Sequence, residues 1–230
     1  MQSKKASVLL IFMIIIFSCD SKKKVAESSV EKQTEIVNTN TDLALAGNVN
    51  FEDEESLTIY SAILKNVIGD KAGAYIGHTM DKLASEIDEK LEYTELLRAG
   101  EGLILEFNTD SNLYFDSGKT SLNNSSKEVL SKIHKVLESF PNVNVIVETH
   151  TDNSGDEAVN LTMTTERVNS IKSFFLESGL KEERLKVKAF GESQPKFENN
   201  SEKDRMKNRR VEFGFYASQE LKNDAKKITD

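Results

Sequence analysis

The chain has 230 residues, 30% of them charged, with two prolines and no tryptophan. That length suits one ordinary domain with additions. A formal charge of −8 without a basic tract argues against nucleic acid as a partner, because affinity for phosphate backbones comes mainly from clustered Lys and Arg.

Residues 1–18 hold Lys4 and Lys5, then the apolar run Val8 to Phe17, and no acid. The run is far shorter than the ~20 apolar residues that span a bilayer. It describes a secretory signal peptide. Cys19, the single cysteine, follows directly. A lone cysteine in an exported chain has no internal disulfide partner. It is either a free thiol beside a cleavage site or a lipid attachment point. Ile16-Phe17-Ser18-Cys19 resembles the lipobox of bacterial lipoproteins, although Phe17 stands where a small residue is usual. That resemblance implies lipidation at Cys19 and a membrane held through the anchor, and two or more acyl chains hold stably.

Residues 19–55 are polar and lack a sustained period, so they cannot bury enough apolar surface to offset their ordering entropy. They read as a flexible linker spanning on the order of 30–36 Å. Residues 56–100 read as helical. Leu57, Tyr60, Ile63, Leu64, Val67 and Ile68 recur at helical spacing, and Met80, Leu83, Ile87 and Leu91 continue it. A continuous helix of about 40 residues would reach about 60 Å. Gly69, Gly73 and Gly77 interrupt the pattern at regular spacing. They form either a bare stripe on which another copy packs, giving a homo-oligomer, or a loop between two shorter helices.

Residues 102–217 read as the folded domain. "GLILEF" and "NLYF" look like strands around the turn-rich Asn108-Thr109-Asp110-Ser111. Ser125 or Ser126 caps a helix carrying Val129, Leu130, Ile133, Val136, Leu137 and Phe140, which must end before Pro141. "VNVIVETH" is a strand, 156–178 a second helix with Gly179 as its C-cap, and "RLKVKAF" another strand. A polar loop, 191–208, precedes the last strand, "RRVEFGFY". This order predicts an α+β fold, one sheet with helices packed on one face. Residues 218–230 read as a polar tail.

Candidate chemistry concentrates in "HTDNSGDEAVNLTMTTER". His150 and Asp152 share a strand face. No Cys or His cluster completes a metal site. No oxyanion hole or glycine-rich phosphate loop is visible, so neither an enzyme nor a cofactor is expected. Asp152 opens the segment and Arg167 closes it. They are either an internal salt bridge or two halves of a clamp for a zwitterion.

These residues resemble the OmpA-like peptidoglycan-binding domain family. The matching positions are Thr151, Asp152, Gly155, Asn160, Arg167, then Gly191, Glu192 and Pro195, then Asn208, Arg209, Arg210, Val211 and Glu212. Thr149 stands where Gly is usual, Met163-Thr164 replaces Leu-Ser, Val168 replaces Ala, and Asp204 takes a Gly position. Upstream, the segment with Gly69, Gly73 and Gly77 is similar to the glycine zipper of some OmpA-like lipoproteins. The resemblance implies a mixed β-sheet and a non-enzymatic site for peptidoglycan. It also implies that the site holds the diaminopimelate side chain of the stem peptide, which ends in an ammonium and a carboxylate on one carbon. Asp152 would take the ammonium and Arg167 the carboxylate, with the N–H groups opening the second helix sharing it. Thr151 joins the site, and Asn160 either bonds the ligand or braces the loop. Arg209 and Arg210 point to opposite strand faces and receive no ligand role. The implied protein tethers an envelope membrane, outer rather than inner, to the wall from the periplasm. The alternative is a scaffold that uses the wall only as an anchor.

Overall fold

The computed structural model describes residues 58–91, 95–109, 111 and 113–229. The leader, Cys19, the linker to residue 55, Leu57 and Asp110 lie outside the described residues. The elements are α1 (Ile59–Leu64), α2 (Asp70–Lys90), β1 (Glu95–Ala99), β2 (Gly102–Phe107), α3 (Asn124–Ser139), β3 (Val143–His150), α4 (Glu157–Glu177), a short 3₁₀ turn (Glu182–Arg184), β4 (Leu185–Gly191), α5 (Glu202–Asn208), β5 (Val211–Ala217) and α6 (Gln219–Thr229).

The strands form one mixed sheet in the order β1-β2-β5-β3-β4. Only β3 and β4 run parallel. Helix α4 makes the crossover that a parallel pair needs. Alternation along the strands turns Leu103, Leu105, Val145, Val147, Phe213 and Phe215 to one face, where the core is continuous with α2, α3, α4 and α6. Phe213 is the hub of that core. It meets Phe107 edge-on at 5.7 Å and Phe175 of α4 edge-on at 6.3 Å, a geometry that adds to plain burial. Asn123, rather than Ser125 or Ser126, caps α3 by accepting the Ser126 N–H at 2.8 Å. The strand expected in "NLYF" is loop at its described residues.

The opposite face is covered by α1. Ile59, Ala62 and Ile63 pack on Ile104, Ile146 and Tyr216. A helix this short depends on packing rather than propensity, and two strand glycines admit it. A Cβ at Gly214 would lie 2.7 Å from Ile59, and one at Gly102 would lie 2.7 Å from Ile63. Glycine inside a strand marks such a close approach.

Four expectations are corrected here. Residues 56–100 are not one helix. The chain breaks between α1 and α2, with Gly69 at φ +73°, and residues 95–99 form a strand. Tyr60, Leu64 and Val67, expected on the buried stripe, are exposed, because α1 turns Ile59, Ala62 and Ile63 inward instead. The 60 Å reach therefore has no continuous helix behind it.

The glycine stripe is occupied by the chain itself. Gly69 lies outside the helix, a Cβ on Gly73 would meet the Glu101 carboxylate, and the Gly77 carbonyl accepts from Arg98 at 3.2 Å. The hairpin β1–β2 thus fills the place that a second copy was expected to take. Finally, the polar tail is helix α6, whose Leu221 and Ala225 enter the core beside α2.

Glu101 is pinned over Gly73 by bonds from the Ile68 N–H (3.0 Å) and the Gly69 N–H (2.8 Å). Gly73→Leu must displace it. Overpacking of about 1–3 kcal/mol outweighs the ~1 kcal/mol that Leu gains over Gly in helix propensity. The thermal midpoint of the Leu variant should fall with no change in sedimentation. A normal midpoint together with weakened self-association would restore the stripe as a contact between copies.

Candidate ligand-binding cleft

The site is built where β3 ends. A register shift between Thr149 and His150 ends the regular pairing. The strand end is then held from both sides. The His150 N–H donates to the Arg210 carbonyl at 3.0 Å and the Thr151 N–H to the Gly191 carbonyl at 2.8 Å. Asp152 follows, with Oδ1 accepting the Ser154 N–H at 2.8 Å. That is an Asx turn, in which a short acid side chain mimics a backbone carbonyl.

Helix α4 opens directly after this turn. Asp156 caps it, accepting from the Ala158 N–H (2.9 Å) and the Val159 N–H (3.1 Å). Those donors were expected to help bind a ligand carboxylate, and Asp156 takes them instead. Asn160 donates to the Ser154 carbonyl at 3.1 Å and to Glu192 Oε2 at 2.6 Å. These bonds brace the loop that carries Asp152. Gly191 presses against α4, where a Cβ would lie 2.9 Å from the Leu161 nitrogen, and its φ is +52°. Both facts call for glycine. The hydroxyl of Thr164 accepts the Gly191 N–H at 3.0 Å, so the replacement of Ser by Thr keeps this bond.

Arg167 extends from the same helix into the same cleft. Its Nε donates to the Lys119 carbonyl at 3.0 Å, and its guanidinium lies 5.0 Å above the Phe115 ring, a cation–π contact. Asp152 and Arg167 are not paired with each other. Asp152 Oδ2 instead receives Nη1 of Arg209, whose Nη2 bonds Glu202 Oε1 at 2.6 Å. The salt-bridge alternative for Asp152 and Arg167 is thereby set aside.

Arg209 was left without a role by the sequence. The available signals were its match to the family pattern and its position just before β5, next to Arg210. Arg210 is structural. It is buried, with Nε 2.5 Å from Glu212 Oε1 and Nη2 bonded to the Gln194 carbonyl at 3.1 Å.

Asp152, Arg167, Thr151, Asn160, Phe115 and Arg209 line a cleft of about 510 Å³. Asp152 is 5% exposed. Burial alone would push its carboxyl up, but the bonds from Arg209 and Ser154 outweigh it and hold the group below the usual carboxylate range. The cleft is therefore lined by a carboxylate held in its charged form, paired with Arg209, and by the Arg167 guanidinium. The Thr151 hydroxyl is buried beside them and bonds no partner among the described residues. No group of three or more metal-ligating side chains occurs among the described residues.

His150 also borders the cleft. It stacks on Phe190 at 5.2 Å, and Nε2 lies 3.7 Å from Glu148. On the sheet face that α1 covers, Glu106, Glu212 and Glu148 stand side by side across β2, β5 and β3. Like charges directly opposed are unfavourable. Lys196 and Arg210 neutralise the first two, and Glu148 accepts the Ile59 N–H that opens α1. Burial, with Glu212 adding, raises Glu148 to about 8. Burial, with Arg210 and Lys196 adding, lowers His150 to about 2. Both shifts favour the neutral form, and the His150 ring nitrogens are buried without a hydrogen-bond partner among the described residues.

Fold and cleft together define a small α+β domain whose cleft is lined by side chains of opposite charge. Residues 114–209 match the model of the OmpA family and form an OmpA family domain. Among curated relatives, Probable lipoprotein YiaD of Escherichia coli strain K12 is 27% identical, over 61% of this chain and 64% of its own length. Outer-membrane lipoprotein YfiB of Pseudomonas aeruginosa is 34% identical, over 46% of this chain and 63% of its own length. The chain thus spans less than two thirds of either relative. A MotB-like protein from Desulfovibrio vulgaris has a TM-score of 0.57 at 20% identity, covering 64% of this chain and 94% of that one. The cell wall anchor of the type VI secretion system from P. aeruginosa has a TM-score of 0.51 at 18% identity, covering 60% and 97%. These two establish the fold.

The Glu148–His150 pair makes a signed prediction. Glu148 is raised from 4.5 to about 8, so its contribution to stability is complete below pH 4.5 and is lost as pH rises through 8. His150 is lowered from 6.5 to about 2, so its contribution is present above pH 6.5 and is lost as pH falls toward 2. The two slopes cancel between 4.5 and 6.5, and stability declines from 6.5 to 8. Glu148→Gln should abolish that alkaline decline in thermal midpoints measured across pH. An unchanged decline would contradict the assignment.

Proposed function

We propose that this is a non-enzymatic envelope protein. In this reading it is lipid-anchored at Cys19 and binds peptidoglycan through the diaminopimelate group of the stem peptides. The observation that carries the proposal is the cleft, in which Asp152 and Arg167 face one space from separate supports. The ligand group has an ammonium and a carboxylate on one carbon. Asp152 would accept from the ammonium, and Arg167 would offer its planar fork to the carboxylate. Thr151 lines the same cleft, its buried hydroxyl bonding no partner among the described residues, and Asn160 keeps the acid-bearing loop in place.

The named relatives support an envelope setting, since YiaD is called a probable lipoprotein and YfiB an outer-membrane lipoprotein. We place the anchor in the outer membrane, with the domain reaching the wall through the linker of residues 19–55. The described residues contain no helix long and apolar enough to cross a membrane.

Asp152→Ala and Arg167→Ala should each abolish sacculus binding while the protein stays folded. Removing one partner from a buried charge contact costs on the order of 2–5 kcal/mol, roughly 30-fold to several thousandfold in affinity. The double variant should lose little more, because either change defeats capture of the zwitterion. Sacculi with lysine in the stem peptide lack the terminal carboxylate and should bind weakly. Folded variants that bind like wild type, or equal affinity for lysine sacculi, would refute the clamp. In membrane fractions, Cys19→Ala should release the protein and abolish lipid labelling, and an unlabelled wild-type Cys19 would refute the anchor.

A further inference from the structure

Asp152 meets the cleft with both oxygens already engaged. Oδ1 is fixed by the Ser154 N–H at 2.8 Å, part of the turn that shapes the loop. Oδ2 is taken by Arg209. A ligand ammonium that approaches Oδ2 therefore meets a cation that the protein itself supplies and competes with it for that oxygen. The other half of the site differs. Among the described residues no carboxylate pairs with Arg167, which rests on a carbonyl and a ring.

Arg209 is built to let go. Its side chain is 32% exposed, against 7% for that of Asp152, so it comes to the acid from the solvent side. Its second nitrogen already holds Glu202 at 2.6 Å, on the first residue of α5. Glu202 is in turn bonded by Arg205 at 2.9 Å. The charges alternate from the buried acid outward, Asp152, Arg209, Glu202, Arg205. A nearly dry carboxylate left without a cation is costly. A guanidinium that leaves it keeps a partner only because Glu202 is there.

We propose that Arg209 is a place-holding cation. It occupies the ammonium position on Asp152 in the empty cleft and withdraws onto Glu202 when a ligand ammonium arrives. This rests on the diaminopimelate reading of the cleft and adds its control. Arg209 is a positioning residue that competes with the ligand, and Glu202 is its receiver. Two consequences differ in sign from those of a direct ligand contact. Removing Arg209 does not weaken binding. Removing Glu202, which lines the same cleft without belonging to the clamp, does weaken it, because Arg209 then has only Asp152.

The test uses full-length protein in detergent and a defined probe, the disaccharide-tripeptide released by muramidase from diaminopimelate-containing sacculi. Affinities are measured by calorimetry for wild type, Glu202→Gln, Arg209→Gln, the double variant and Asp152→Ala. Glu202→Gln should weaken binding about two- to fivefold, the scale of one exposed ion pair. Arg209→Gln should bind at least as tightly as wild type. Adding Glu202→Gln to Arg209→Gln should change nothing further, a coupling that a purely structural Glu202 would not give.

Loss of binding in Arg209→Gln with a normal thermal melt would make Arg209 a ligand contact and overturn the proposal. Wild-type affinity in Glu202→Gln would overturn it as well, and this variant alters an exposed side chain, so it tests the idea even if Arg209→Gln does not fold. Asp152→Ala separates the two levels. Retained binding there refutes the clamp itself, whereas lost binding there beside a failed Glu202 arm refutes only the place-holder.

Discussion

The Asp152 carboxylate is almost wholly removed from water, and a group in that position keeps its charge only if a cation and hydrogen bonds replace the lost solvent. Arg209 and the Ser154 N–H supply them. Much of the site follows from this constraint. The loop that carries the acid has to be rigid, so Asn160 ties it to Glu192, and Thr151 is stitched to Gly191. Arg167 is left with contacts that do not cancel its charge. The result is a cleft in which opposite charges are held apart by the backbone.

The rest of the molecule keeps that strand end in place. β3 lies between β5 and β4, one antiparallel and one parallel neighbour, and both of its faces are covered. Helices α3 and α4 seal one face. Helix α1 sits over the other, admitted by Gly214 and tied through Glu148. The segment before the domain and the helix after it pack together, so chain entering from the linker joins the same core that supports the site. In the proposed function, a pull on the linker would be met first by α1 and α2.

The sheet was legible because its signals are local, whereas the choice between salt bridge and clamp for Asp152 and Arg167 came from the family resemblance. Alternating Val143, Val145 and Val147 and the periodic Val168, Ile171 and Phe175 require no knowledge of neighbours. The errors fall where neighbours decide. "ELLRA" consists of good helix formers, and only pairing with β2 makes it an edge strand. The α6 sequence offers little beyond Leu221 and Ala225 on its inner face, and α2 supplies the rest of that contact. The glycines at 69, 73 and 77 stand out by their spacing, yet the two that admit α1, Gly102 and Gly214, lie inside strands and look unremarkable. Arg209 was left unassigned for the same reason, since its partners Asp152 and Glu202 lie on other elements.

The central claim is that one zwitterionic carbon is gripped from two sides. A crystal structure with meso-diaminopimelate bound tests it most directly. The account predicts the ligand ammonium within hydrogen-bond distance of Asp152 Oδ2 and the carboxylate of the same carbon on the Arg167 guanidinium. A ligand bound elsewhere, or with its charges reversed between those residues, would contradict it.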